Sequence, residues 1–296
     1  MQNIVSSQAV DNGTVRGLIS TLRGRYSFLD AMPIGESVQK REISGIILGG
    51  GRERILYAAG FSGQDQLHTL ILLRFCEDLC KALERGESIA NIKISEALAG
   101  RSLVFVPQVN PDGAEIAVHG SGAAGVYARM VRELGGNEPG AWHANVRGVD
   151  INYNFNAGWQ ELQHKLKKSG ICSPGAKKWS GQAPESEPET AALIGLCKRA
   201  KFRHLIALNS QGKKVYWKYG DKTPTCSRVM AEVMAAAAKY TIANHKESPD
   251  HGGLMQWFIE QTGRPGFIVG LESLSLEHFE DIYQEVQEML LLGALM

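Results

Sequence analysis

The sequence predicts an α/β fold: a single domain whose largely parallel or mixed sheet is covered by helices on both faces. Three observations predict it. Short apolar runs of strand length recur along the chain, and the longer stretches between them repeat their apolar residues at helical spacing. That alternation is what a sheet crossed by covering helices requires. No internal repeat or low-complexity linker divides the 296 residues, and at 44% hydrophobic the chain can bury one large core.

In order along the chain, residues 1–33 read as an N-terminal helical lead-in to a domain spanning 1–296. Ile46-Ile47-Leu48 and Ile55-Leu56-Tyr57-Ala58 are short, bounded apolar runs and read as buried strands. Leu67, Ile71, Phe75, Leu79 and Leu83 then fall at four-residue steps, the mark of a helix with one buried face. Leu103-Val104-Phe105-Val106, Leu205-Ile206-Ala207-Leu208 and Phe267-Ile268-Val269 repeat the strand pattern. Residues 224–238 are rich in Met and Ala and open with Thr223-Pro224, a cap and a first-turn proline. Ser275 caps a final helix running from Leu276 towards Leu292. The Gly-rich stretch 120–141 and the stretch 165–185 read as long excursions, which in a compact domain gather at a functional rim.

Charge narrows the partners. With 32 basic and 31 acidic residues the formal net charge is +1, so no strong field favours nucleic acid or an anionic membrane. Cys76, Cys80, Cys172, Cys197 and Cys226 are odd in number. Cys76 and Cys80 lack a second ligand pair at metal spacing, so all five read as free thiols rather than a disulfide framework or a zinc site. Residues 1–5 show no basic region leading into an apolar run, and the most apolar stretch, Leu67 to Phe75, is interrupted by His68 and Arg74. The expectation is a cytoplasmic soluble protein.

Sites in open α/β sheets form beyond the carboxyl ends of the strands. There the chain carries Gly60-Phe61-Ser62-Gly63-Gln64-Asp65, then Asn110-Pro111-Asp112-Gly113. Further on come Gly148-Val149-Asp150-Ile151-Asn152, Ser186-Glu187-Pro188-Glu189, Asn209-Ser210-Gln211-Gly212 and Gly252-Gly253-Leu254-Met255-Gln256-Trp257-Phe258. In this order, from about Ile34 to the C-terminus, these segments resemble the zinc carboxypeptidases. Nearest is the bacterial branch that cleaves γ-D-glutamyl-diamino acid bonds in peptidoglycan peptides. The resemblance implies a mixed twisted sheet of about eight strands and a cleft for a peptide or a small peptidoglycan-derived ligand.

The family's reaction needs a zinc held by two His and a Glu, with an open position for water, and a glutamate as general base. The resemblance places the ligand positions at Ser62, Asp65 and Asn209, and the base at Gly270. A serine hydroxyl and an asparagine amide are poor substitutes for imidazole on zinc. Only Asp65 keeps its predecessor's charge, and Gly270 has no side chain. No zinc or other cofactor is therefore predicted. Glu272 is the nearest carboxylate, displaced by roughly 6–7 Å along the strand from Gly270 if the strand continues; the alternative is an exposed loop residue. His68, three residues after Asp65, reads as a locally satisfied histidine. Asn152 matches the family's carboxylate-holding asparagine, while Tyr153 replaces the arginine beside it and loses a bidentate clamp. His143 is the candidate for the cation that polarises the carbonyl, with Arg147 as a second candidate or, equally, a fold-stabilising ion-pair partner. Asp150 reads as structural. Tyr240, His245 and His251 read as rim residues. The function implied is a family member without metal or peptidase activity that keeps peptide binding. The alternative is an active metallocarboxypeptidase with a non-standard ligand set. A third reading, Ser62 as a nucleophile, lacks both the Gly-x-Ser-x-Gly elbow and a histidine placed as its base.

Overall fold

The computed structural model describes residues 3–243, 251–272 and 275–296. Its helices are α1 (Asn12–Arg25), α2 (Gln66–Arg85), α3 (Ile94–Ala97), α4 (Pro111–His119), α5 (Ala128–Glu133), α6 (Trp159–Lys168), α7 (Pro188–Ala200), α8 (Cys226–Ala237), α9 (Leu254–Thr262) and α10 (Phe279–Leu295). The strands are β1 (Leu29–Glu36), β2 (Glu42–Leu48), β3 (Glu53–Ala58), β4 (Ser88–Ile89), β5 (Ile92–Lys93), β6 (Arg101–Val106), β7 (His204–Asn209), β8 (Lys214–Tyr216), β9 (Thr241–Ile242) and β10 (Gly266–Gly270). Eight of them form one sheet in the order β1-β2-β6-β3-β7-β10-β8-β9, and β4 and β5 form a separate hairpin.

The four central strands β6, β3, β7 and β10 run parallel, and β2 and β8 flank them antiparallel. Because a strand points alternate side chains to opposite faces, each central strand serves two cores. Ile55, Tyr57, Ile206, Leu208, Phe267 and Val269 face one core, packed with α1, α2, α8 and α10. Leu56, Ala58, Leu205, Ala207 and Ile268 face the other, packed with α7 and α9. Burial on both sides is why these strands read as unbroken apolar runs. The predicted α/β class and mixed sheet are present.

Local departures have local causes. Within the stretch read as a helical lead-in, residues 12–25 form α1, whereas Leu29 onward is an edge strand whose register shifts between Pro33 and Gly35. The stretch 120–141 is not irregular throughout: a 3-10 segment at Gly120–Tyr127 runs into α5. Ser275 caps as expected, its side chain accepting the Glu277 N–H, though the first turn at Leu276–His278 is 3-10. The 20-residue helix α2 ends at Gly86, left-handed at φ 65°, whose N–H satisfies the carbonyls of Ala82 and Leu83. Among the described residues no helix is long and apolar enough to cross a membrane.

Candidate functional site

The candidate positions lie at or just past the carboxyl ends of three adjacent strands. β3 leads into Ser62 and Asp65, β7 ends at Asn209 and β10 ends at Gly270. The loops after β3 and β6 press together: a side chain at Gly60 (φ +70°) would meet the Gln108 backbone at 2.8 Å, so only glycine fits there. Asn110 fastens this junction. It caps α4 by accepting the Gly113 N–H at 2.8 Å, and its amide donates to the Phe61 carbonyl at 3.1 Å. The Asn-Pro-Asp-Gly segment is thus a helix cap with proline in the first turn.

Asp65 is the residue before α2, yet its side chain does not cap that helix. Its Oδ2 accepts the Ser62 N–H at 2.9 Å, and its Oδ1 faces His68 Nδ1 at 3.5 Å. That second contact is too long to be a sound hydrogen bond, which leaves Nδ1 of the fully buried His68 without one. His68 Nε2 lies 3.5 Å from Ser210 Oγ just past the end of β7, an equally long contact. Ser62 is 7% exposed. Its Oγ accepts the Gln64 N–H at 3.1 Å and sits 2.9 Å from His143 Nδ1. The histidine that sequence reading could not place beside Ser62 is therefore His143, distant in sequence.

Asn209 is paired in register with Gly270 on the neighbouring strand. Its Oδ1 is buried with no hydrogen-bond partner among the described residues. Above Gly270 lies the chain's own backbone: a Cβ there would stand 2.4 Å from the Gly212 carbonyl oxygen and 3.0 Å from the Gln211 carbonyl carbon. Two hydrogen bonds tie this loop down. Gly212 N–H donates to the Leu271 carbonyl at 3.2 Å, and the Gly212 carbonyl accepts the Lys214 N–H at 2.6 Å. Glu272, next along, is 65% exposed and pairs with Lys213 at 3.1 Å.

A small cavity of about 60 Å³ opens beside these residues, lined by Phe61, Asn152, Tyr153, Asn209 and Gln256 among others. Asp150 caps the 3-10 turn that presents Asn152 and Tyr153, accepting the N–H groups of Asn152 (3.2 Å) and Lys178 (2.9 Å). Burial pushes its carboxyl up, opposed by those hydrogen bonds and by nearby His143. Arg147 is held elsewhere, its Nε 2.9 Å from Glu187. Tyr240 is buried in the core and His251 Nδ1 lies 2.7 Å from the Tyr219 hydroxyl, while His245 lies outside the described residues.

One buried cluster escaped sequence reading. Glu187 and Glu189, noted in the sequence only within the Ser186-Glu187-Pro188-Glu189 segment, are 3% and 0% exposed. Asn145 donates to both, Arg147 pairs with Glu187, and Arg41 pairs with the adjacent buried Asp112 at 2.7 Å. Burial, with the Asp112 and Glu187 carboxylates nearby, pushes the Glu189 carboxyl up to about 8. The partners come from four separate stretches of chain, so no local pattern announces the cluster.

The donor set at the site does not fit zinc. At the three family ligand positions it offers one carboxylate, Asp65, already accepting a backbone N–H, together with the neutral oxygens of Ser62 and Asn209; the nearby His68 and His143 nitrogens do not converge with Asp65 as a three-donor group. Zinc sites are built from His nitrogen, Cys sulfur and carboxylate. Among the described residues, three His, Cys, Asp or Glu donors converge only at Asp11, Glu115 and His119, on α1's cap and α4. There Asp11 already accepts the Thr14 N–H and Glu115 the Asn12 N–H.

Residues 16–264 match the family described as zinc carboxypeptidase. A curated relative from Lysinibacillus sphaericus, gamma-D-glutamyl-L-diamino acid endopeptidase 1, is 31% identical over 292 residues, which cover 97% of this chain and 72% of that protein. Among solved structures, thrombin activatable fibrinolysis inhibitor aligns with a TM-score of 0.74 at 17% identity, covering 99% of this chain and 76% of that one. Murein-tripeptide amidase MpaA from Escherichia coli O157 aligns with a TM-score of 0.56 at 19% identity, covering 88% and 91%. At such identities the structural likeness concerns the fold alone.

Proposed function

Because the chain belongs to the zinc carboxypeptidase family, we propose that it keeps the family's peptide cleft but has lost zinc binding and amide hydrolysis. The observation that carries this reading is at Gly270, where the general base would stand. No side chain is present, and the Gly212 carbonyl fills the space one would enter. The engaged state of Ser62 and the neutral oxygen of Asn209 support it: neither replaces a lost imidazole. Loss of groups that act as a unit removes a mechanism rather than slowing it in proportion.

Asn152 and Tyr153 remain on the cavity wall and are the residues we assign to ligand contact. His143 is a further candidate, its Nδ1 spent on Ser62 and its Nε2 facing away from that bond. Arg147 is the weakest of the four, since its ion pair with Glu187 must open before it can serve a ligand. The ligand class is a short peptide, and the γ-D-glutamyl-diamino acid endopeptidase relative favours one derived from peptidoglycan.

The test is metal content and turnover on one preparation. Protein purified without added metal should carry far less than one zinc per chain by elemental analysis. It should show no chelator-sensitive cleavage of γ-D-glutamyl-diamino acid peptides or ordinary C-terminal peptides. A full equivalent of zinc together with chelator-sensitive turnover, both lost in Asp65→Ala, would establish the opposite reading, an active enzyme with an altered ligand set.

A further inference from the structure

A second cleft opens at the other end of the strands. It lies between α7 and the strands β1, β2 and β6, near the amino ends of β3 and β6, whereas the candidate site lies beyond their carboxyl ends. Its volume is about 360 Å³, within the range of small-molecule sites. Ile34, Ile47, Val104 and Leu196 form an apolar floor. The glycines at 49–51, between β2 and β3, contribute no side chains to fill the space.

The charged side chains lining this cleft are Arg54, from β3, and Arg199, from the last turn of α7, both exposed at the rim. Among the described residues neither guanidinium has an ion-pair partner. No acidic side chain lines the cleft to offset them. The neighbouring carboxylate, Glu53, is committed to Arg101 and Arg203 instead. An apolar floor beneath two unpaired guanidiniums complements one kind of molecule: an anionic head on an apolar body. Guanidinium is the side chain best matched to a planar carboxylate, which it can grip through two parallel N–H groups. We propose that this cleft binds a small amphipathic carboxylate, its apolar part on the floor and its carboxylate between Arg54 and Arg199. The inference stands apart from the fate of the zinc site, because no residue is shared between the two.

Isothermal titration with decanoate and with 1-decanol, on the full chain and on Arg54→Ala/Arg199→Ala, tests it. Both replaced residues are exposed, so the variant folds; its circular dichroism and melting temperature are checked alongside. Decanoate should bind saturably to the parent at one site, and the double variant should bind it about tenfold or more weakly, as expected for loss of two charge-assisted contacts. Affinity for 1-decanol should be weaker in the parent and unchanged by the double substitution. Ala200→Phe, which places a ring at the cleft, should abolish binding of both. Absence of saturable decanoate binding overturns the proposal. So does equal binding of acid and alcohol, or decanoate affinity indifferent to the two arginines.

Discussion

Gly270→Ala adds one methyl group at the end of β10, directly under the Gly212 carbonyl oxygen. Two effects oppose each other. Alanine narrows the unfolded ensemble, which alone would stabilise by about 0.4–1 kcal/mol. The new Cβ, however, would sit 2.4 Å from a backbone oxygen that also accepts the Lys214 N–H, in a loop tied to Leu271. Backbone cannot swing aside as the tip of a flexible side chain can, and overpacking of this kind costs about 1–3 kcal/mol. The clash wins, leaving a net loss of roughly 1–2 kcal/mol. For a domain this large that is about 2–6 °C in Tm. Urea unfolding of parent and variant measures it, with an unchanged m-value showing that stability alone has moved. Gly17→Ala is the control. Gly17 lies inside α1 with nothing within 4 Å of an added Cβ, so it should gain about 0.5–1 kcal/mol. If Gly270→Ala is as stable as the parent while Gly17→Ala gains, the space above Gly270 is open and the steric argument for a lost base is wrong.

Two further outcomes follow from the same site and from the buried acids. Ser62→His/Asp65→Glu/Asn209→His should regain zinc binding measurable by titration, because it restores the donor types zinc prefers; adding Gly270→Glu to it should lower Tm, and a rise in Tm would contradict the packing described. The Glu189 carboxyl, pushed from 4.5 to about 8, holds a proton in the folded chain that the unfolded chain has released across that window. Its contribution to stability is therefore complete below about pH 4.5 and lost as the pH rises through about 8. Unfolding free energies of Glu189→Gln across this range should fall less steeply with pH than the parent's, and parallel curves would refute the assignment.

The sheet was legible where its strands are buried on both faces, since β3, β6, β7 and β10 are apolar runs. β1 was hidden because Leu29–Glu36 carries Asp, Pro and Gly, tolerated on an edge where one side of the strand needs no partner. β8 and β9, three and two residues long, are set by pairing with β10 and with each other, not by their own sequence. For the candidate site, motif order pointed to positions 62, 65, 209 and 270, which the fold sets at the ends of adjacent strands. It could not show that His143 meets Ser62 across a separation of 81 residues, or that Gly212 rests on Gly270. Nor could it reveal that Glu187 and Glu189 turn inward, because the groups that receive them lie at residues 38, 145 and 147.

The contact between Gly212 and Gly270 gives the chain a direction of change. A last strand residue without a side chain lets a neighbouring turn settle onto it, and whatever stabilises that turn makes a larger residue there harder to admit. A glutamate placed there alone would meet an occupied seat, so a chain that accepts one must first loosen residues 211–212.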